Sequence, residues 1–376
     1  MPVHSKVMAH DTSSNAGLET SDGTDYELFG EFSDMHGNDA WNVFTTSRAK
    51  EKGGFNFKSV MYEEQRSTKS MPVFNTEDHI LYDGEKYWGY EQAKHIYTDM
   101  WQGAVHGRAG SVIWLWEYTS DQTSTFYGLI HSRPDAIKNV GYANYHMNRL
   151  AYELAALQHA EPTVGVIRSK TSKTYTPNQS IYMISSSCLM SGQKFDSVVD
   201  NQIEDIHKYK VIFLPELTHV SERTLSELEK YVNNSGKLVC FGENLLSKNE
   251  YDKPNDAERV NNILRNATFY ESLTDWEKAY DIIQSEVKKA GLMNIELIDA
   301  DTGDTVKNIE WQSAEYNGKL LVNICNYNWY EPKNVIIKVN GEEISESTDL
   351  ISGEQRDRVI NLVDYEPQLI QTDLEK

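Results

Sequence analysis

KYKVIFLPELTHVSERTLSELEKYVNNSGKLVCFG, residues 208–242, reads as strand, helix, strand. Val211 to Leu214 is an unbroken apolar run, the pattern of a parallel strand buried on both faces. Ser221 suits the cap of a helix whose apolar stripe is Leu225, Leu228 and Val232, and Gly236 suits its stop. KLVCFG, 237–242, then returns as a second strand. Upstream, PTVGVI (162–167) and FDSVV (195–199) are further strands, with an amphipathic helix between them through Ile181, Ile184, Cys188 and Leu189. The unit they build is a small flavodoxin-like sheet with helices on both faces.

The same alternation extends toward the amino terminus. PVHSKVM (2–8), SDMHGNDAW (33–41), MPVFNTE (71–77) and AGSVIWLWEY (109–118) are candidate strands. Their starts lie roughly 30 to 40 residues apart, the pitch of βα units in a parallel sheet. Residues 86–105 place Tyr90, Ala93, Ile96, Tyr97, Met100 and Ala104 on one helical face. Residues 135–158 do so with Ile137, Val140, Met147, Leu150, Ala151 and Leu154, and Pro134 fits the first turn. Glu161-Pro162 marks a boundary between the two regions. Toward the carboxy terminus, KNEYDKPNDAERVNN (248–262) is polar and reads as a loop. From about residue 305 the period drops to two, with Asn317-Gly318 and Asn340-Gly341 as hairpin turns. The expected fold class is therefore α/β, followed by a small antiparallel β domain.

Composition narrows the function. The chain has 376 residues, enough for two or three domains, and is 39% hydrophobic and 25% charged, as in soluble globular proteins. Its 57 acidic and 36 basic residues give a net charge of -21, which repels nucleic acid and anionic lipid. Neither is expected as a partner. Cys188, Cys240 and Cys325 are odd in number and far apart, so they form no disulfide framework or CxxC metal site and read as reduced core thiols. No apolar run approaches the roughly 20 residues that cross a bilayer. The first residues lack the apolar stretch of a signal peptide, and the cytoplasm is the expected location. Aromatic residues crowd positions 82–147, compatible with stacking on sugar rings and equally with a good core.

Chemistry gathers at the strand ends. MPVFNTEDHIL (71–81) runs from an apolar strand straight into Glu77, Asp78 and His79. In barrels of βα units, functional side chains collect at such carboxy-terminal ends. Retaining glycosidases need two carboxyls about 5 Å apart, one as nucleophile and one as acid/base. Glu77 follows its strand directly and is the candidate nucleophile, against the plain alternative of an exposed loop glutamate. Asp78 is assigned to solvent or a turn. His79 either holds Glu77 ionised or is an ordinary loop residue. His36 and Asp39 either contact sugar hydroxyls or are strand-end structure. Trp116 is a candidate floor for a sugar site, while Trp114 is assigned to the core and Glu117 to structure. His36, Asp39, Glu77 and His79 are metal-ligand types, but without a fixed spacing such as HExxH no metal is expected. No cofactor is expected either, because Gly53-Gly54 lacks the GxGxxG or GxxxxGK[ST] context of a phosphate loop.

The order of these parts resembles the family 42 β-galactosidases, which carry a barrel, an amidotransferase-like trimerisation domain and a small β-sandwich. The stretch at 162–242 is similar to the trimerisation domain. PVFNTEDHIL resembles the strand-seven segment, whose nucleophile maps to Glu77, and GSVIWLWEY resembles strand eight, whose sugar-site tryptophan maps to Trp116. The amidotransferase chemistry itself is absent: VIFLPELTHVSERT contains no cysteine and no GxCxG, so this domain reads as catalytically empty. The resemblance implies strands five to eight of a (β/α)8 barrel in residues 1–160, a trimerisation domain in 161–300 and a C-terminal β-sandwich in 301–376. It also implies a homo-oligomer, trimeric by likeness, and a carbohydrate substrate.

One departure matters. Strands one to four, and the Asn-Glu pair that supplies acid/base catalysis after strand four, have no counterpart before Glu77. Glu27 and Glu31 fall on the presumed helix between strands five and six. Two functions follow as expectations. The first is a retaining glycoside hydrolase of β-galactosidase type that needs an amino-terminal half-barrel as partner. The alternative is a non-catalytic oligomerising or carbohydrate-binding remnant.

Overall fold

The computed structural model describes residues 4–8, 26–40, 56–80, 90–114, 133–175, 180–328 and 331–373. The chain forms two compact units with interleaved segments. Met1–His36, Glu63–Met71 and Glu161–Leu292 make the first; Gly37–Tyr62, Pro72–Ala160 and Met293–Lys376 make the second.

Strands β1 (His4–Met8), β2 (Met35–Asp39), β3 (Val73–His79) and β4 (Arg108–Trp114) form one sheet in chain order. Helices α1 (Tyr26–Phe32), α2 (Phe57–Thr68) and α3 (Tyr90–Val105) fall between them in sequence, and β3 and β4 pair in parallel. This is the expected βα succession. Strand β3 runs past its apolar stretch, so Glu77, Asp78 and His79 belong to the strand and not to a loop beyond it. Residues 86–89, read as helix, and 115–118, read as strand, lie outside the described residues.

The helix expected over 135–158 is two helices, α4 (Pro134–Arg149) and α5 (Ala151–His159), with Leu150 between them at φ -110 and ψ 28. No proline or glycine announces that break; packing sets it. Leu150, Leu154 and Leu157 bury against Trp101, Leu321 and Leu369, while Arg149 donates to the carbonyls of Leu350 and Ile351 at 2.8 and 2.9 Å.

In the first unit, strands β5 (Val164–Ile167), β6 (Phe195–Val198), β7 (Val211–Pro215), β8 (Lys237–Phe241) and β9 (Thr268–Tyr270) form a parallel sheet in the order β9-β8-β7-β5-β6. Counted from its other edge this is the flavodoxin-like order 2-1-3-4-5. The helix Glu222–Asn233 begins as expected, the Ser221 hydroxyl accepting from Thr224 N–H at 3.0 Å. Its end differs in cause. Ser235, not Gly236, takes the left-handed conformation, at φ 65. Gly236 is required because a Cβ there would lie 2.4 Å from the Tyr231 ring. Tyr231 cannot swing aside, being 3% exposed with its hydroxyl donating to Tyr209 O at 3.2 Å. Gly236→Ala should therefore cost about 2–3 kcal/mol by overpacking, read from urea denaturation. A loss below roughly 0.5 kcal/mol would contradict this packing account. The polar stretch 248–262, read as a loop, contains a helix start: Asp256 caps Ala257–Leu264, accepting from Arg259 N–H at 2.7 Å.

The second unit holds the antiparallel strands. Asn317 and Gly318, at φ 51 and 74, join Ile309–Tyr316 to Lys319–Asn326, and Asn340 and Gly341, at φ 51 and 89, repeat the turn. Both are the left-handed two-residue turns that suit the strand twist. Two sheets face each other through Leu297, Ile337 and Ile360 on one side and Trp311, Val322 and Ile370 on the other. Strand Lys319–Asn326 is buried on both faces: Leu320, Val322 and Ile324 point into this core, while Leu321 meets the helices. All three cysteines are free and buried, and burial pushes the Cys240 thiol up to about 12. No described helix is long and apolar enough to cross a membrane.

Candidate active site

Strand β3 carries a β-bulge. Asn75 pairs with Ser111 and Asp78 with Ile113, so Thr76 and Glu77 together oppose Val112. The extra residue inverts the alternation of the strand. Val73, Asn75 and Asp78 are buried, while Phe74, Thr76, Glu77 and His79 are partly exposed. A regular strand would have placed Glu77 on the face of Val73 and Asn75. The bulge transfers Glu77 and His79 to the opposite, accessible face.

On that face three of the expected residues meet. His79 Nε2 lies 3.4 Å from Glu77 Oε1 and 3.5 Å from Asp39 Oδ1, with Asp39 brought in by β2. These distances exceed the usual 2.7–3.2 Å of an N–H···O bond, so the imidazole stands between both carboxylates without a short bond to either. The side chains of Asp39, His79 and Glu77 are 8%, 18% and 25% exposed, which makes Glu77 the reachable end of the row. Thr76 ties β3 to β2 by donating to Asn38 O at 2.8 Å. The donor atoms of Asp39, Glu77 and His79 all lie within 4.8 Å of one another, so these three are the described residues able to hold a metal ion, although no fixed spacing announced it.

His36 does not join them. Three residues before Asp39 on β2, it points to the other face, is 3% exposed and donates Nε2–H to Lys69 O at 3.1 Å. Burial, with a smaller effect of the nearby Lys69 charge, lowers its pKa to about 4. Above pH 6.5 folded and unfolded chains both hold this ring neutral. From pH 6.5 down to about 4 only the unfolded chain binds the proton, so stability is lost on acidification, by up to about 3 kcal/mol. Urea melts at about pH 7 and about pH 4.5 should show that loss in the natural protein and a correspondingly smaller one in His36→Asn. Equal pH dependence in both would contradict it.

Trp116, Glu117 and Gly53-Gly54 lie outside the described residues. Trp114, assigned to the core, instead stands beside His79: the two are register partners, with ring centroids 5.8 Å apart and planes tilted by 35°. Only the parallel register reveals this neighbour.

Asp78, assigned to solvent or a turn, is fully buried. It pairs with Lys58 and, at 2.5 Å, with Arg108 Nη1, and Lys58 also meets Asp99 at 2.5 Å. Burial alone would raise the Asp78 carboxyl, but the two cations outweigh it and hold it below the usual range. Asp99 moves the other way, because burial and the neighbouring Asp78 prevail over Lys58. Asn75 joins the group, donating from Nδ2 to Ala40 O, Tyr62 OH and Asp78 Oδ1 at 2.9, 3.0 and 3.1 Å.

No family model and no curated protein sequence matches this chain. Solved structures do. An apo GH42 exo-carrageenase from Bacteroides ovatus aligns with a TM-score of 0.79 at 18% identity, covering 100% of this chain and 52% of that one. Gan42B, a GH42 β-galactosidase from G. stearothermophilus, aligns with a TM-score of 0.74 at 14% identity, covering 100% and 64%. The β-galactosidase from Bacillus circulans sp. alkalophilus gives 0.72 at 13%, covering 98% and 63%. The chain thus spans about half to two thirds of the length of these proteins. It shares with GH42 enzymes a mixed α/β fold of parallel sheets and antiparallel strands, in keeping with the resemblance read from PVFNTEDHIL and its neighbours.

Proposed function

We propose that this chain carries the nucleophile side of a retaining glycoside hydrolase acting on a β-galactoside-like substrate by double displacement. One observation carries the reading: in a glycosidase-like fold, a bulge at the carboxy-terminal end of a parallel strand turns Glu77 to the accessible face, beside His79 and Asp39. Glu77 attacks the anomeric carbon and the C–O bond to the leaving group breaks. A glutamate from an amino-terminal half-barrel protonates the departing oxygen, then takes a proton from the water that hydrolyses the glycosyl ester. His79, between Asp39 and Glu77, fixes the direction of the Glu77 carboxylate. Trp116 is assigned to the sugar platform, and the helix-facing His36 to structure.

On the same reading, residues 1–160 are strands five to eight of a (β/α)8 barrel, 161–300 the trimerisation domain and 301–376 the C-terminal sandwich, and the assembly is a homo-trimer. The reading is tested by sequencing the DNA upstream of the Met1 codon and co-expressing whatever it encodes. Four βα units there, the fourth closed by Asn-Glu, should restore hydrolysis of an aryl β-galactoside when co-expressed. An unrelated gene there, or a completed barrel that stays inert, would favour the oligomerising or carbohydrate-binding remnant.

A further inference from the structure

A bulge interrupts the ladder that would otherwise hold its residues, so something else must fix where Glu77 points. On the buried side of β3 the structure supplies two clamps. At the near end, Asn75 Oδ1 accepts the Glu77 backbone N–H at 3.2 Å, while its Nδ2 is spread over Ala40, Tyr62 and Asp78. At the far end, Asp78 is gripped by Lys58 from α2 and by Arg108 from the start of β4. Arg108 is itself seated by donation to Met100 O at 2.8 Å, and Gly103 leaves it room: a Cβ there would lie 3.0 Å from its Nε.

Thr76 and Glu77 are thus suspended between two anchored residues. We propose that Asp78 is a positioning residue for Glu77, its ion pairs with Lys58 and Arg108 locking the bulge that presents the nucleophile. The catalytic part of this inference rests on the proposed function; the mechanical part does not. Asp78 makes no contact with substrate. Its effect on chemistry runs through the backbone of the adjacent residue, where a displacement near 1 Å costs on the order of a hundredfold in rate.

The test compares the natural chain with Asp78→Asn, which keeps the shape and removes the charge. Because Asp78→Asn leaves two buried cations short of an anion, Lys58→Met/Asp78→Asn is made in parallel to lower that charge imbalance. Two readouts are taken on folded protein. The first is backbone hydrogen exchange in the peptide spanning residues 73–80. The second is inactivation by a fluorinated β-galactoside with a dinitrophenyl leaving group. There Glu77 forms an ester bond to the anomeric carbon, and dinitrophenolate departs with the bonding pair, needing no proton.

The expected result is exchange in 73–80 faster by at least roughly tenfold in both variants. The maximal inactivation rate should fall about a hundredfold while the concentration for half-maximal rate changes little. Unchanged exchange in 73–80 would overturn the proposal, whatever the inactivation does. Faster exchange with an unaltered inactivation rate would overturn the positioning role. If the natural chain is not inactivated even with an amino-terminal half-barrel supplied, the glycosidase reading falls, and the exchange measurement still decides whether Asp78 locks the bulge.

Discussion

In a barrel completed by the proposed amino-terminal half, Glu77→Gln is expected to abolish turnover, lowering hydrolysis of an aryl β-galactoside by at least roughly a thousandfold. The amide has the shape of the carboxylate but cannot form the glycosyl ester, and no other described carboxylate offers itself. Asp39 is the nearest alternative, but it is less exposed and His79 stands between it and Glu77. Stability should change by less than about 1 kcal/mol, because the side chain is partly exposed and its contacts to His79 are long. The shorter Glu77→Ala leaves a gap in which azide can take the place of the carboxylate. With a dinitrophenyl leaving group, added azide should restore reaction and give the glycosyl azide of inverted configuration. Full activity in Glu77→Gln would remove this residue from the mechanism.

The second large effect concerns stability. Glu310 sits on strand Ile309–Tyr316 between two residues that point into the sandwich core, and so turns its carboxylate toward the helices. It is 1% exposed. Gln102 of α3 and His106, just past the end of that helix, donate to Oε1 at 2.6 and 2.8 Å, and Asn56 donates to Oε2 at 2.9 Å. Glu310→Ala leaves those donors buried without their acceptor and should destabilise the second unit by about 4 kcal/mol, read from the denaturation midpoint. Glu310→Gln keeps an acceptor oxygen and should lose less. A loss under roughly 1 kcal/mol for Glu310→Ala would mean that the helices and the sandwich do not depend on this node.

What could be read directly from the chain was whatever physics acts over a few residues. The Asn-Gly turns declare themselves because left-handed backbone at two successive positions suits few other pairs. Strands β5 to β8 follow a pattern of apolar runs and capped helices that is equally local, whereas the edge strand β9, only three residues long, was not read. The place of Glu77 at the end of a parallel strand was legible because a polar group closing an apolar run is a local signal too, and the strand carrying it is as expected.

The missed features depend on partners distant in sequence. The bulge exists only relative to β4, since it takes Val112 to make Thr76 and Glu77 two residues against one. Asp78 looks like a turn residue until Lys58 and Arg108, 20 and 30 positions away, arrive on its side of the sheet. Trp114 reaches the site through register with His79, and the interruption at Leu150 answers to Leu321 and Leu369. His36 misled for the converse reason. It is a polar group at a strand end like Asp39, but odd spacing on one strand sends the two to opposite faces. Counting that parity would have separated them.

The most direct measurement is the location of the covalent adduct. The chain, alone and with any co-expressed upstream half, is incubated with the dinitrophenyl fluoro-β-galactoside, digested and mapped by mass. One fluoroglycosyl ester per chain is expected, on the peptide containing Glu77 and on that side chain. An adduct on another carboxylate, or none after a completed barrel is supplied, would contradict it.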